Sequence, residues 1–206
     1  MNVALFSAVI MLSAATLFIG IRLAGRLPAQ WVTGVFALTA ILFVAFFALR
    51  WFHWIVGDIL ILLLSISAGK ILDGMIKSRQ ALIVFCLTLA IMDLASFYFG
   101  PTASLVKSYR EGNTLLLQYL SICIPTETGI QPIMGIGDTM ALATTYAILI
   151  QLRYPGGWAF LVPLAGFLIA MAVGLQVGGI FALPFLAGAL IVYIVIDQRV
   201  NHRGNP

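Results

Sequence analysis

The sequence predicts an all-α polytopic membrane protein, and composition, segment length and charge distribution all point to that fold class. Of the 206 residues, 62% are hydrophobic and only 9% are charged. A soluble domain of this size needs far more polar residues to cover its surface. The net charge of +4 is therefore interpreted through membrane topology, and it does not indicate nucleic-acid binding.

Seven segments approach the roughly 20 apolar residues that a helix needs to cross a bilayer. We therefore expect about seven transmembrane helices in a single membrane domain, residues 1–206, with N-terminal helices in 1–50 and a core in 54–206. The last two segments follow each other so closely that the sequence does not fix their boundary. The predicted segments are residues 3–24, 31–49, 54–69, 81–99, 134–152, 158–175 and 177–196.

Basic residues are distributed unequally between the two sides of the predicted membrane domain. An excess of Lys and Arg marks the cytoplasmic side. The pattern predicts an integral multi-pass protein of the cell membrane, with its N-terminus outside and its C-terminus in the cytoplasm. One side has eight basic residues (Arg22, Arg26, Lys70, Lys77, Arg79, Arg153, Arg199 and Arg203) and the other has three (Arg50, Lys107 and Arg110).

The longest connection between predicted helices, residues 100–133, lies on the outer side. Within it, residues 120–124 read Leu-Ser-Ile-Cys-Ile, and this alternation has the period of a strand with one buried face. Two alternatives stay open for this stretch. It forms a short β-strand, alone or in a hairpin, or it is a loop that lies on the membrane surface.

Three of the seven acidic residues fall inside apolar segments: Asp58, Asp93 and Asp138. A carboxylate at membrane depth costs several kcal/mol, so each is a candidate functional residue. Asp93 lies seven residues before Gly100, and Asp138 lies six residues after Pro132. A rise of 1.5 Å per residue places both roughly 10 Å below the outer boundary. Asp58 is also near that boundary, and we expect a structural role for it.

Asp93 and Asp138 therefore lie at matching depth on consecutive predicted membrane helices. If these helices touch, the two carboxylates share one proton and a water, because two like charges a few ångströms apart cannot both ionise. The ionised carboxylate then takes a proton from water while the protonated one hydrogen-bonds a scissile carbonyl. This is the chemistry of aspartyl proteolysis.

Two glycines frame the second of these acids. Gly135 and Gly137 have no side chains, so they would let another backbone approach within one turn of Asp138. Packing of helices through small residues is the alternative explanation.

The segment Gly-Ile-Gly-Asp at 135–138 resembles the GxGD motif of the intramembrane aspartyl proteases, the presenilin and signal peptide peptidase family. Those enzymes carry a first catalytic aspartate in the preceding helix, usually after a tyrosine. The segment AIMDLASFYFG at 90–100 is similar, with Met92 in place of the tyrosine. The resemblance implies that Asp93 and Asp138 are catalytic and that the two glycines contact substrate.

A third motif of that family, Pro-Ala-Leu in the last helix, is similar to residues 183–186 here. Pro184 and Leu186 match it, whereas Phe185 replaces the alanine. The resemblance implies that Leu183, Pro184, Phe185 and Leu186 border the catalytic site and help to hold an extended substrate. A proline in a helix also frees backbone carbonyls upstream.

An extended substrate also needs a partner for its backbone. We expect Ile122, on the predicted strand, to pair with it through main-chain hydrogen bonds. The order and spacing of the three motifs agree with the family from residue 54 to the C-terminus, as in a short, prokaryotic-like member that lacks two N-terminal helices.

The resemblance thus implies an aspartic endopeptidase whose partners are the lipid bilayer and a transmembrane substrate, with no metal or organic cofactor and no nucleic acid. Two alternatives stay open. One is a proton- or ion-coupled transporter that uses the same acids. The other is a prepilin-peptidase-like GxGD protease, although Thr139 stands where those enzymes usually have lysine, and Cys86 and Cys123 are too few for their zinc loop.

Overall fold

The computed structural model describes residues 3–49, 53–127, 129–177 and 182–203, and most of them are helical. Two strands, β1 (Ser121–Thr126) and β2 (Gly129–Gly135), stand between the sixth and seventh helices of this part of the chain. The helices are α1 (Val3–Ala24), α2 (Ala29–Ala48), α3 (Trp54–Asp73), α4 (Arg79–Phe99), α5 (Pro101–Arg110), α6 (Leu115–Tyr119), α7 (Ile136–Gln151), α8 (Gly156–Val177) and α9 (Leu183–Arg203).

Each of the seven predicted apolar segments overlaps a helix of at least 16 residues, and residues 178–181 of the last segment lie outside the described ranges. Among the described residues, however, only five helices are long and apolar enough to cross a membrane, and these are α1, α2, α3, α4 and α8. The structure indicates a multi-pass, predominantly helical membrane protein, but the predicted count of seven spans is not reproduced. The two exceptions are α7, with 16 residues, and α9, whose apolar part is Leu183–Asp197.

Helix α7 is short because it is surrounded by protein and because a strand takes up its predicted start. It packs against α1, α3 and α8, and nearly every residue from Thr139 to Leu149 is buried. Helix α3 approaches it most closely, since a Cβ added at Gly69 would lie 2.8 Å from the carbonyl carbon of Ala143. Small residues permit such contacts between membrane helices. The core of the molecule is therefore built around α7.

The long connection between α4 and α7 contains a β-hairpin, which was one of the two alternatives for residues 120–124. Strands β1 and β2 pair antiparallel, with an irregularity between Ile122 and Cys123. The pairing brings Met134 opposite Ile122 and Gly135 opposite Ser121. Helix α7 therefore begins at Ile136 and not at residue 134. The sequence did not predict the two helices α5 and α6 of the same connection.

Charged side chains from elements that are distant in sequence come together at the end of the bundle where α3 ends and α4 begins. Lys70 and Asp73 form an ion pair at the end of α3. The Arg79 guanidinium lies 3.2 Å from an Asp197 carboxylate oxygen and 5.1 Å from the centre of the Tyr154 ring. These contacts join the start of α4, the turn after α7 and the end of α9. Lys70 and Arg79 thus lie on either side of the short turn between α3 and α4.

The close approach of α3 to α7 yields a stability prediction. Gly69→Ala should lower the unfolding temperature in detergent, because the new methyl group would overlap the α7 backbone and overpacking costs roughly 1–3 kcal/mol. Gly34→Ala is the matched control, since no atom lies within 4 Å of a Cβ at that position in α2. Equal unfolding temperatures for the two variants would contradict the packing described for α7.

Candidate active site

The carboxylate of Asp93 lies at the beginning of α9. Asp93 belongs to α4, which packs along α9, and the backbone N–H of Leu183 donates a hydrogen bond of 3.3 Å to its Oδ2 atom. The first N–H groups of a helix have no partner within the helix and carry partial positive charge. The start of α9 therefore provides Asp93 with a donor in an otherwise apolar region.

Pro184 is the second residue of α9 and does not interrupt a helix within the described residues. The N–H of Leu186 donates to the Ala182 carbonyl oxygen over 3.1 Å, so the first turn of α9 closes around the proline. A proline is tolerated there because its missing N–H would have had no partner inside the helix. The expected freed carbonyls upstream fall on residues 178–181, which are outside the described ranges.

Asp138 lies in the first turn of α7. Its carboxylate hydrogen-bonds the backbone of Gly135, the residue that caps the helix. The Thr139 hydroxyl donates to the Gly135 carbonyl oxygen over 2.8 Å, which fixes the same turn from the other side. Asp138 is thus held at a helix start, as Asp93 is held at the start of α9.

The structure brings the two predicted aspartates together. Asp93 and Asp138 are both half-buried, and their carboxylates are close enough to interact electrostatically. Helix α9 contacts both α4, which carries Asp93, and α7, which carries Asp138. Among the described residues, no ion pair joins either acid to a lysine or arginine.

Neither glycine is packed against another backbone of this chain, so the approach of a second backbone to Asp138 stays a prediction. A Cβ at Gly135 would meet only the Oδ2 atom of Asp138, at 3.4 Å, and one at Gly137 would meet nothing within 4 Å. The backbone of Gly135 is extended, with φ −65° and ψ 156°, so glycine is not required by its conformation. Gly137 is exposed, and the space beside Asp138 is open there.

Of the motif residues of α9, one contacts Asp93 and two pack in the core. Leu183 reaches Asp93 through its backbone N–H. Leu186 is 2% exposed, and a Cβ at Gly166 of α8 would lie 2.9 Å from the Phe185 carbonyl oxygen. The side chain of Leu186 therefore packs in the protein interior, and Phe185 is partly buried against the same core.

Ile122 lies on strand β1 of the hairpin. It is 3% exposed and is paired with Met134 across the hairpin. Its backbone is therefore already part of the ladder with β2. The strand that runs on toward Asp138 is β2, which leads directly into α7.

Asp58 does not join the other two acids. Its Oδ1 atom accepts a hydrogen bond of 2.9 Å from the Cys123 N–H, and it lines a cavity of about 390 Å³ between α1, α3 and the hairpin. Its partner is thus a strand and not another helix. Sequence reasoning could not have found this contact or the one made by Leu183, because backbone N–H donors leave no signal in residue identity.

Within the described ranges, no group of three or more His, Cys, Asp or Glu side chains is arranged to hold a metal ion. Comparison of the chain with protein-family models, curated proteins and solved structures finds no match. Function is therefore inferred from the two neighbouring carboxylates and from the elements that hold them.

Proposed function

We propose that this protein is an intramembrane aspartyl protease in which Asp93 and Asp138 form the catalytic dyad. The observation that carries the proposal is the proximity of two half-buried carboxylates from α4 and α7 without a basic partner among the described residues. Two such groups act as one titrating unit that holds a single proton between them. That state is the one that general acid–base cleavage by aspartates requires.

The chemistry runs through a water molecule between the two acids. The ionised carboxylate removes a proton from the water, which attacks the scissile carbonyl carbon, while the protonated carboxyl hydrogen-bonds the carbonyl oxygen. The roles then reverse: a proton is given to the leaving nitrogen, and the C–N bond breaks. Each acid has one backbone contact at a helix start, with Leu183 and with Gly135, so either carboxyl is oriented by rigid backbone.

A transmembrane substrate must unwind before its peptide bond reaches the dyad, because a helix hides its backbone in its own hydrogen bonds. Freed backbone groups in the membrane need new partners. Strand β2 borders the dyad, and we assign to it the substrate pairing first expected of Ile122. Gly137 leaves open space next to Asp138, which is where the substrate backbone would lie.

In the proposed orientation, the end of the bundle with the β1–β2 hairpin faces outside. The end with Lys70 and Arg79 faces the cytoplasm, because the sequence has its excess of basic residues on that side. Substrates with a cytoplasmic N-terminus fit this orientation. A tag inserted after Gly112 should be accessible from outside intact cells, whereas a C-terminal tag should be protected. The reverse result would invert the proposed substrate class.

A proton- or ion-coupled transporter is the second candidate. The observation in its favour is the start of α9, where a backbone N–H meets a carboxylate inside the apolar part of the molecule. Helices that begin at membrane depth and bind charged groups with their N-termini are typical of transporters.

Replacement of either dyad acid tests the first candidate against the second. Asp93→Asn and Asp138→Asn should each lower the cleavage rate of a model transmembrane substrate by about 10³-fold or more, since one carboxyl cannot serve as both acid and base. Glu111→Gln is the matched control, because that exposed carboxylate lies outside the site. Turnover at the control rate by either dyad variant would contradict the assignment. Loss of proton-coupled uptake, with no proteolysis by any form, would favour the transporter.

The open space at Gly137 gives a second test. Gly137→Leu should leave the unfolding temperature unchanged but raise the KM for substrate or abolish cleavage, because the new side chain would occupy the space beside Asp138. Gly157→Leu is the matched control: it too is the second residue of a helix, exposed, with nothing within 4 Å of a Cβ. Equal activity of both variants would show that substrate does not approach Gly137.

A further inference from the structure

Asp58 is the intramembrane acid that the proposed chemistry does not use. It lies on α3 and is half-buried. Its Oδ1 atom accepts the N–H of Cys123 over 2.9 Å, a contact between residues 65 positions apart in the sequence. Among the described residues, no lysine or arginine forms an ion pair with it. The side chain thus joins α3 to β1 at a single backbone donor.

The donor stands at the irregular point of the hairpin. The register shifts between Ile122 and Cys123, and Cys123 lies opposite Pro132, which has no N–H to offer the ladder. An irregularity of this kind weakens pairing locally. Because Asp58 binds the Cys123 N–H, α3 supports the hairpin at the position where its own ladder is weakest.

Pairing beyond that point leads directly to the dyad. Ser121 pairs with Gly135, and the N–H of Ile136 donates to the Leu120 carbonyl oxygen over 2.8 Å. Gly135 caps α7, and Asp138 follows in its first turn. The route from Cys123 to the start of α7 consists of backbone pairing, so a shift of β1 moves the first turn of α7 with it.

We propose that Asp58 is a positioning residue that sets the place of the Asp138 carboxylate by holding the hairpin against α3. Helix α3 contacts the body of α7 through Gly69, eleven residues and roughly 17 Å along the helix from Asp58. Loss of the Asp58 contact therefore frees the first turn of α7 and leaves the rest of that helix in place. The effect on catalysis rests on the proposed function, whereas the effect on the hairpin does not.

Two variants separate the acceptor from the charge. Asp58→Asn keeps an oxygen at the same distance along the side chain and should retain most of the cleavage activity. Asp58→Leu removes the acceptor and should lower kcat on the order of 100-fold with little change in KM, as expected when a reacting group is displaced by about 1 Å. A strong loss of activity in Asp58→Asn would instead mean that the carboxylate itself takes part in the chemistry, and would overturn the proposal.

Hydrogen exchange provides a readout that does not depend on proteolysis. In Asp58→Leu, the amides of β1 and of residues 134–136 should exchange at least tenfold faster than in the wild type, while the buried amides around Tyr146 in α7 stay protected. Unchanged exchange in the hairpin would overturn the proposal. If the wild type shows no proteolysis at all, the proposed function fails, and this measurement still decides the role of Asp58.

If Asp58→Leu does not fold, Asp58→Glu replaces it, since the extra methylene moves the carboxylate oxygens away from Cys123 while the charge is retained. The proposal then expects faster exchange in the hairpin and a lower kcat for Asp58→Glu than for Asp58→Asn. The opposite order would show that charge, and not the position of the acceptor, is what matters at this site.

Discussion

A carboxylate inside an apolar helix needs either a hydrogen-bond donor or a proton, and this requirement shapes the half of the molecule that contains the hairpin. Each of the three acids in apolar helices contacts a backbone group: the start of another helix, the irregular point of the hairpin, or the cap of its own helix. Asp93 meets Leu183, Asp58 meets Cys123, and Asp138 turns back to Gly135. None of these contacts involves a basic side chain. Backbone groups, and not charged side chains, therefore hold the positions of the three acids.

This arrangement explains why α7 and α9 are the irregular members of the bundle. Helix α9 begins at Leu183, level with Asp93, so its unpaired N–H groups face a carboxylate and not lipid. Helix α7 begins only after β2 has paired with β1, and protein surrounds it along its length. A shorter helix is tolerated there because its ends contact the hairpin and the neighbouring helices.

The sequence predicted the apolar helices well, because apolarity over about 20 residues is a strong and local signal. The range of α1 agrees with the predicted segment at both ends. The start of α7 was wrong by two residues because Met134 and Gly135 belong to a strand, and pairing between distant residues overrides local pattern. Helices α5 and α6 were missed because they are short and lie in a connection without a long apolar run.

In the candidate site, too, local signals could be predicted from the sequence and tertiary contacts could not. Asp93 and Asp138 stood out because acids are rare in apolar segments, and the depth calculation placed them at one level. The burial of Leu186 against Gly166 and the pairing of Ile122 with Met134 could not be predicted, since they are tertiary contacts that no spacing reveals. Pro184 begins a helix among the described residues, and a proline looks alike in sequence whether it breaks a helix or begins one.

The central claim, that Asp93 and Asp138 share one proton to cleave a peptide bond within the membrane, is tested most directly with purified protein in liposomes. A transmembrane peptide substrate is added with and without a hydroxyl-containing mimic of the tetrahedral intermediate. Since such a mimic occupies the position of the attacking water between the two acids, it should bind far more tightly than substrate and block cleavage at one molecule per active protein. Cleavage that persists at a saturating concentration of the mimic would contradict the claim. So would a lack of cleavage by the protein without the mimic.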